Sequence, residues 1–150
     1  MRINTGLTIL LTAATIYGQS IVTPLFVHKD GEASATGYSG TQKEILVDGG
    51  AVQVTGWMTF QTQGVDLADI TSANLALYVK SLDAPGTLDV YALTAAITEP
   101  ENNLPLASLP IAATPHTSVS LGTADVESVL RLDITALVTG GAFHGVALRS

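Results

Sequence analysis

The chain has 150 residues, 47% of them hydrophobic and 13% charged, a balance typical of chains that fold around a core. Its 13 acidic and 6 basic residues give a formal net charge of −7. No Lys/Arg cluster occurs, which argues against a nucleic-acid backbone or an anionic membrane surface as partner. Cysteine is absent, which excludes disulfides, Cys-ligated zinc and a Cys nucleophile.

Residues 1–20 have the layout of an export signal. Arg2 supplies the positive start, residues 6–16 an apolar stretch, and Gly18-Gln19-Ser20 the small residues a signal peptidase inspects, so cleavage is expected after Ser20. The alternative for this stretch is a buried first strand or helix of the fold. It is too short to cross a bilayer comfortably. No later segment approaches that length, so no membrane span is expected in the mature chain. An exported, cysteine-free domain points to a bacterial or archaeal source.

From residue 21 onward, short strands alternate with turn chemistry. Residues 21–27 read as a first strand, placed at an edge by Pro24. Residues 28–41, rich in Gly, Ser, Thr and Ala, read as a loop. Residues 44–48 are a short apolar run closed by Gly49-Gly50. Residues 52–61 alternate: Val52, Val54, Met58 and Phe60 share one face, and Trp57 and Thr59 share the other. A loop over 64–71 leads to a second alternating run, in which Leu75, Leu77 and Val79 oppose Ala76, Tyr78 and Lys80. Asp83-Ala84-Pro85-Gly86 is a turn. It leads to a strand with Leu88 and Val90 on one side and Asp89 and Tyr91 on the other. The turn and its flanking strands read as a hairpin.

Residues 94–115 form a proline-rich excursion with at most one helical turn. Residues 117–121 and 128–134 are further strands, and Asp133 is placed to cap a helical turn over 135–138 that Gly140-Gly141 stops. A last strand ends the chain, with Val146 and Leu148 inward. Seven or eight short strands without a long helix predict an all-β fold, an antiparallel β-sandwich of jelly-roll type. No linker divides residues 21–150, which are read as one domain.

Several segments in order resemble a known family. They are Trp57-Met58-Thr59-Phe60, the run Ile70 to Val79 with its Ser72-Ala73 and Leu75-Ala76-Leu77-Tyr78 elements, Gly86-Thr87-Leu88-Asp89-Val90-Tyr91, Arg131-Leu132-Asp133-Ile134-Thr135, and Gly145-Val146-Ala147-Leu148-Arg149-Ser150. Together they resemble the DNRLRE-type β-sandwich domain, which is similar to polysaccharide-binding modules, alginate-binding ones among them, of bacterial and archaeal extracellular proteins. The resemblance covers roughly residues 26–150. It implies a jelly-roll sandwich, an extracellular or cell-surface location and no catalysis. Two departures stand out. The family's excursion usually carries a Trp, and residues 94–115 have none. The family pattern also continues past its Ala-Leu-Arg-Ser element into a closing strand, so a C-terminally truncated product is expected here.

For chemistry, the spacing of His28, His116 and His144 gives neither a metal-ligand pair nor a catalytic one, and no Gly-x-Ser-x-Gly elbow occurs. The loop acids Glu99, Glu101, Asp125 and Glu127 read as solvated or capping. A structural calcium ion, held by Asp66 and Asp69, is the cofactor the loop chemistry allows. The outward strand positions Trp57, Tyr78, Lys80, Tyr91 and Arg131 are the binding candidates. Aromatic rings stack on sugar faces, and Lys or Arg pairs with uronate carboxylates. The alternative for these positions is packing under a covering loop or in a second core layer. The expected function is therefore a non-catalytic carbohydrate-binding or adhesive module whose partner is a polysaccharide or cell-surface matrix. A purely structural module of a larger surface protein is the rival, and a polysaccharide lyase or hydrolase the more distant one.

Overall fold

A computed structural model describes residues 2–4, 8–16, 19–35, 44–49, 53–98 and 105–150. The chain is mostly β, and all its strand pairs are antiparallel. The strands are β1 (Arg2–Asn4), β2 (Thr8–Ile16), β3 (Gln19–Ser34), β4 (Glu44–Leu46), β5 (Val54–Phe60), β6 (Ile70–Ser81), β7 (Gly86–Ala92), β8 (Thr117–Leu121), β9 (Ser128–Asp133) and β10 (Val146–Arg149). One short helix, α1 (Thr135–Thr139), lies between β9 and β10.

Hydrogen-bonded neighbours run β4-β1-β6-β2-β3-β5-β10-β7-β8, with β9 on β6. The 16-residue β3 joins two groups of strands. Its first half pairs with β2 and its second half with β5. The first group therefore centres on β6, which also pairs with β1, β2 and β9. The second runs β3-β5-β10-β7-β8. The segment with export-signal composition contributes β1, β2 and the start of β3.

Alternation decides which side chains meet. Leu75 and Leu77 of β6 and Leu132 of β9 join Met58, Leu88, Val90, Val146 and Leu148 of the second group in one buried cluster. The four residues expected to share an interior, Leu75, Leu77, Val90 and Leu132, all do so. Burying each such side chain contributes about 1.5–3 kcal/mol. The helix caps that core. Asp133 Oδ1 accepts the Thr135 N–H at 2.8 Å, as its position before the turn predicted. The Thr135 hydroxyl accepts the Ala73 N–H of β6 at 2.9 Å, and Val138 is buried.

Two expectations are corrected. Residues 28–34 are strand, not loop: they pair with β5 from Lys29↔Thr59 to Ser34↔Val54. The small residues there reflect close approach, since Gly31 and Ala33 lie buried on a covered face. The Asp83–Gly86 turn does not close a hairpin. β6 pairs with β1, β2 and β9, and β7 pairs with β10 and β8. The turn instead carries the chain from one strand group to the other, with Leu82 packed against the core on the way.

Candidate functional site

The five binding candidates fall on two separate faces. On the first group, β6 and β9 pair with Ala76 opposite Arg131 and Tyr78 opposite Val129. Leu75 and Leu77 turn inward, so these residues and Lys80 occupy the outer positions. Tyr78 is half-buried, whereas Lys80, Arg131 and Val129 are exposed. Arg131 stands diagonally across from Tyr78, a relation that brings side chains within reach of each other. The face thus carries an aromatic ring and two of the chain's 6 basic residues.

On the second group, Trp57, Ala147 and Tyr91 form one row across β5, β10 and β7. Trp57 is not exposed. It lies at 0% exposure in a second buried cluster with Ala33, Leu93, Ile97, Leu109 and Ala147. The excursion after β7 supplies Leu93, Ile97 and Leu109, with Leu106 and Ile111 packed against them. Trp57 therefore takes the covered-layer alternative and is removed from the open face. Its indole Nε1 is buried with no hydrogen-bond partner among the described residues.

The neighbouring row is polar and mutually held. Arg149 lies directly opposite Asp89, and Asp89 opposite Ser118. Arg149 Nε donates to the buried Thr55 hydroxyl at 3.1 Å, and its guanidinium sits 5.4 Å from the Tyr91 ring centroid. The Ser118 hydroxyl donates to Asp89 Oδ1 at 2.5 Å. Tyr91 therefore presents a ring already occupied by a cation. The inward assignment of Val146 and Leu148 already places Arg149 outward, so the same period-two rule that selected Tyr91 reaches Arg149 as well.

Asp66 and Asp69 flank a 3-10 turn over Leu67–Asp69. Asp66 Oδ1 accepts the Ala68 N–H at 3.0 Å as its cap. Among the described residues, no group of three or more His, Asp or Glu is gathered as a metal would require. Asp125 Oδ2 likewise accepts the Gly122 N–H at 2.8 Å and holds a turn. Glu99 and Glu101 lie outside the described residues.

The structure also brings together residues that spacing kept apart. His28 and His144 line one open cleft of about 330 Å3 with Lys29, Thr59, Phe60 and Phe143. Ala96 and Ile97 of the excursion complete its lining. Among known proteins, no family model, no curated sequence and no solved structure matches the chain.

Proposed function

We propose that this protein is a non-catalytic carbohydrate-binding or adhesive module of an exported protein, taking acidic polysaccharide on the outer β6–β9 face. The observation that carries this reading is the placement of Tyr78, Lys80 and Arg131 together on one strand pair. A tyrosine offers a ring to the C–H face of a sugar, and a guanidinium matches a uronate carboxylate in two parallel hydrogen bonds. The two strand groups, sharing one buried cluster, are read as the facing layers of a jelly-roll sandwich, in keeping with the DNRLRE-type resemblance. Structural calcium stays outside the proposal, because the Asp66 carboxylate is engaged as a cap.

Gel electrophoresis through alginate or polygalacturonate tests the reading. Wild-type protein is expected to be retarded. Arg131→Ala and Tyr78→Ala are expected to migrate freely while keeping the wild-type far-UV spectrum. A charge-assisted hydrogen bond contributes about 1.5–3 kcal/mol, so either change weakens binding roughly tenfold or more. Free migration of the wild type across a panel of acidic and neutral polysaccharides would favour the structural module instead. Release of unsaturated uronate ends, read as new ultraviolet absorbance, would favour the lyase.

The export reading has its own test. Cleavage after Ser20 would strip β1 and β2 from the edge of β6. N-terminal sequencing of protein recovered from the medium is expected to begin at Ile21. Recovery only from cells, starting at the first residues, would retain both strands and end the export proposal.

A further inference from the structure

The cleft between His28 and His144 is a built feature, separate from the β6–β9 face and independent of the polysaccharide reading. Its first element is a β-bulge. Val27 pairs with Phe60 and Lys29 with Thr59, so the register shifts at His28, which has no partner on β5. A bulge turns the extra residue out of the ladder and re-aims its side chain. Here the Thr59 hydroxyl repairs the broken ladder. It accepts the Lys29 N–H at 3.1 Å and donates to the Lys29 carbonyl at 3.3 Å. The backbone at the bulge is thereby fixed.

The second element is a tight pass on the other side of β5. Gly145 holds a φ of +127°, and a Cβ added there would lie 2.2 Å from the Met58 carbonyl oxygen. Only glycine allows this approach. It brings the preceding His144 to the cleft, opposite the side that His28 occupies. Between them, Phe60 and Phe143 stack with ring centroids 5.8 Å apart and form an apolar wall. Ile97 adds to that wall.

Charge gives the cleft its selectivity. The chain has 13 acidic residues and 6 basic ones. None of the residues lining this cleft is acidic, yet Lys29 and two of the chain's 3 histidines line it. An ammonium, two imidazoles and a fixed hydroxyl beside an apolar wall suit a ligand with a negative head and an apolar body. A volume of about 330 Å3 is near the lower end of small-molecule sites. We propose that this cleft binds a small organic anion, a carboxylate carried on an apolar ring, with Lys29 pairing the carboxylate and the Phe60–Phe143 wall receiving the ring.

Titration of the full chain with benzoate, followed by imidazole 1H–15N correlation spectra, tests this, with benzamide as the neutral isostere and acetate as the head without a body. His116 does not line the cleft and is the internal control. Single His→Gln variants assign the three signals. Benzoate is expected to shift His28 and His144 saturably and to leave His116 in place. Benzamide and acetate are expected to produce no saturable shift. Lys29→Gln is expected to weaken benzoate roughly tenfold. Equal response to benzamide would reduce the cleft to an apolar hollow and overturn the proposal. So would movement of all three histidines together, unchanged affinity in Lys29→Gln, or no shift with benzoate. The benzoate–benzamide comparison uses the wild type alone, so it decides the matter even if a variant folds poorly.

Discussion

Trp57 separates a sugar-binding platform from a core residue, and the two roles predict opposite results for one substitution. Trp57 is fully buried beneath the excursion, against Ala33, Leu93, Ile97, Leu109 and Ala147. Trp57→Ala empties that layer and is expected to cost about 3–5 kcal/mol. Trp57→Phe is subtler. Losing the second ring forfeits about 1 kcal/mol of apolar burial, and the cavity it leaves costs about 1 kcal/mol more. Against this, the substitution removes an indole N–H that is buried without a partner. Such a donor costs about 1–3 kcal/mol. The two sides nearly cancel, so Trp57→Phe should unfold in urea within about 1 kcal/mol of wild type, monitored by far-UV circular dichroism. Because Trp57 is the sole tryptophan, its emission also reports directly on burial. It should resist acrylamide quenching, and added polyuronate should leave it unchanged. A readily quenched tryptophan would refute the covered-layer argument. So would a stable Trp57→Phe variant that no longer binds polysaccharide.

Arg149→Ala is expected to cost roughly 2–3 kcal/mol in urea unfolding, since it strands the buried Thr55 hydroxyl and removes the cation over Tyr91; a loss below about 0.5 kcal/mol would show that the row is not anchored. Gly145→Ala should destabilise by about 3 kcal/mol or more, because positive φ and collision with the Met58 carbonyl act together. Gly64→Ala, with φ +83° and open space around it, should cost only about 1 kcal/mol. Equal losses at the two glycines would contradict the close pass at β5. Hydrogen bonds from the Thr135 hydroxyl and then its backbone N–H hold the Asp133 carboxyl below its ordinary pKa. A depressed folded pKa gives stability that is complete above the unfolded value, near 3.8, and is lost as pH falls through the folded one. The stability difference between wild type and Asp133→Asn should therefore be constant at neutral pH and shrink on acidification below about 4. A difference that does not vary with pH would remove the charge from the cap.

Period-two reading recovered most of the strands and the shared interior because burial on one face writes itself directly into β5, β6, β7, β9 and β10. It failed where a residue's environment comes from elsewhere in the chain. Residues 28–34 pass as loop by composition, but the Gly and Ala there are small because the excursion's covered layer lies over β3 as well as β5. The Asp83–Gly86 turn has hairpin chemistry, yet its strands bond to different neighbours, a choice made by long-range pairing that no local turn encodes. His28 and His144 meet only because β3 and β10 flank β5, an adjacency invisible to sequence spacing.

The opposite fates of Trp57 and Tyr78 show the same principle from the side of function. Both occupy outward parity on a long alternating strand, so alternation ranks them equally. What separates them is the reach of the connections. Residues 93–116 join β7 to β8 and carry Ile97, Leu106, Leu109 and Ile111, enough chain and enough apolar surface to return across the outer face and seal Trp57 beneath it. Residues 122–127 join β8 to β9 through a single 3-10 turn held by Asp125, too short to cover the β6–β9 face. The helix after β9 turns toward the core through Val138. Tyr78, Lys80 and Arg131 thus remain at a surface because the adjoining connections are short or directed inward. Grafting a longer apolar connection between β8 and β9 should shield them and abolish polysaccharide retardation without altering any of the three residues.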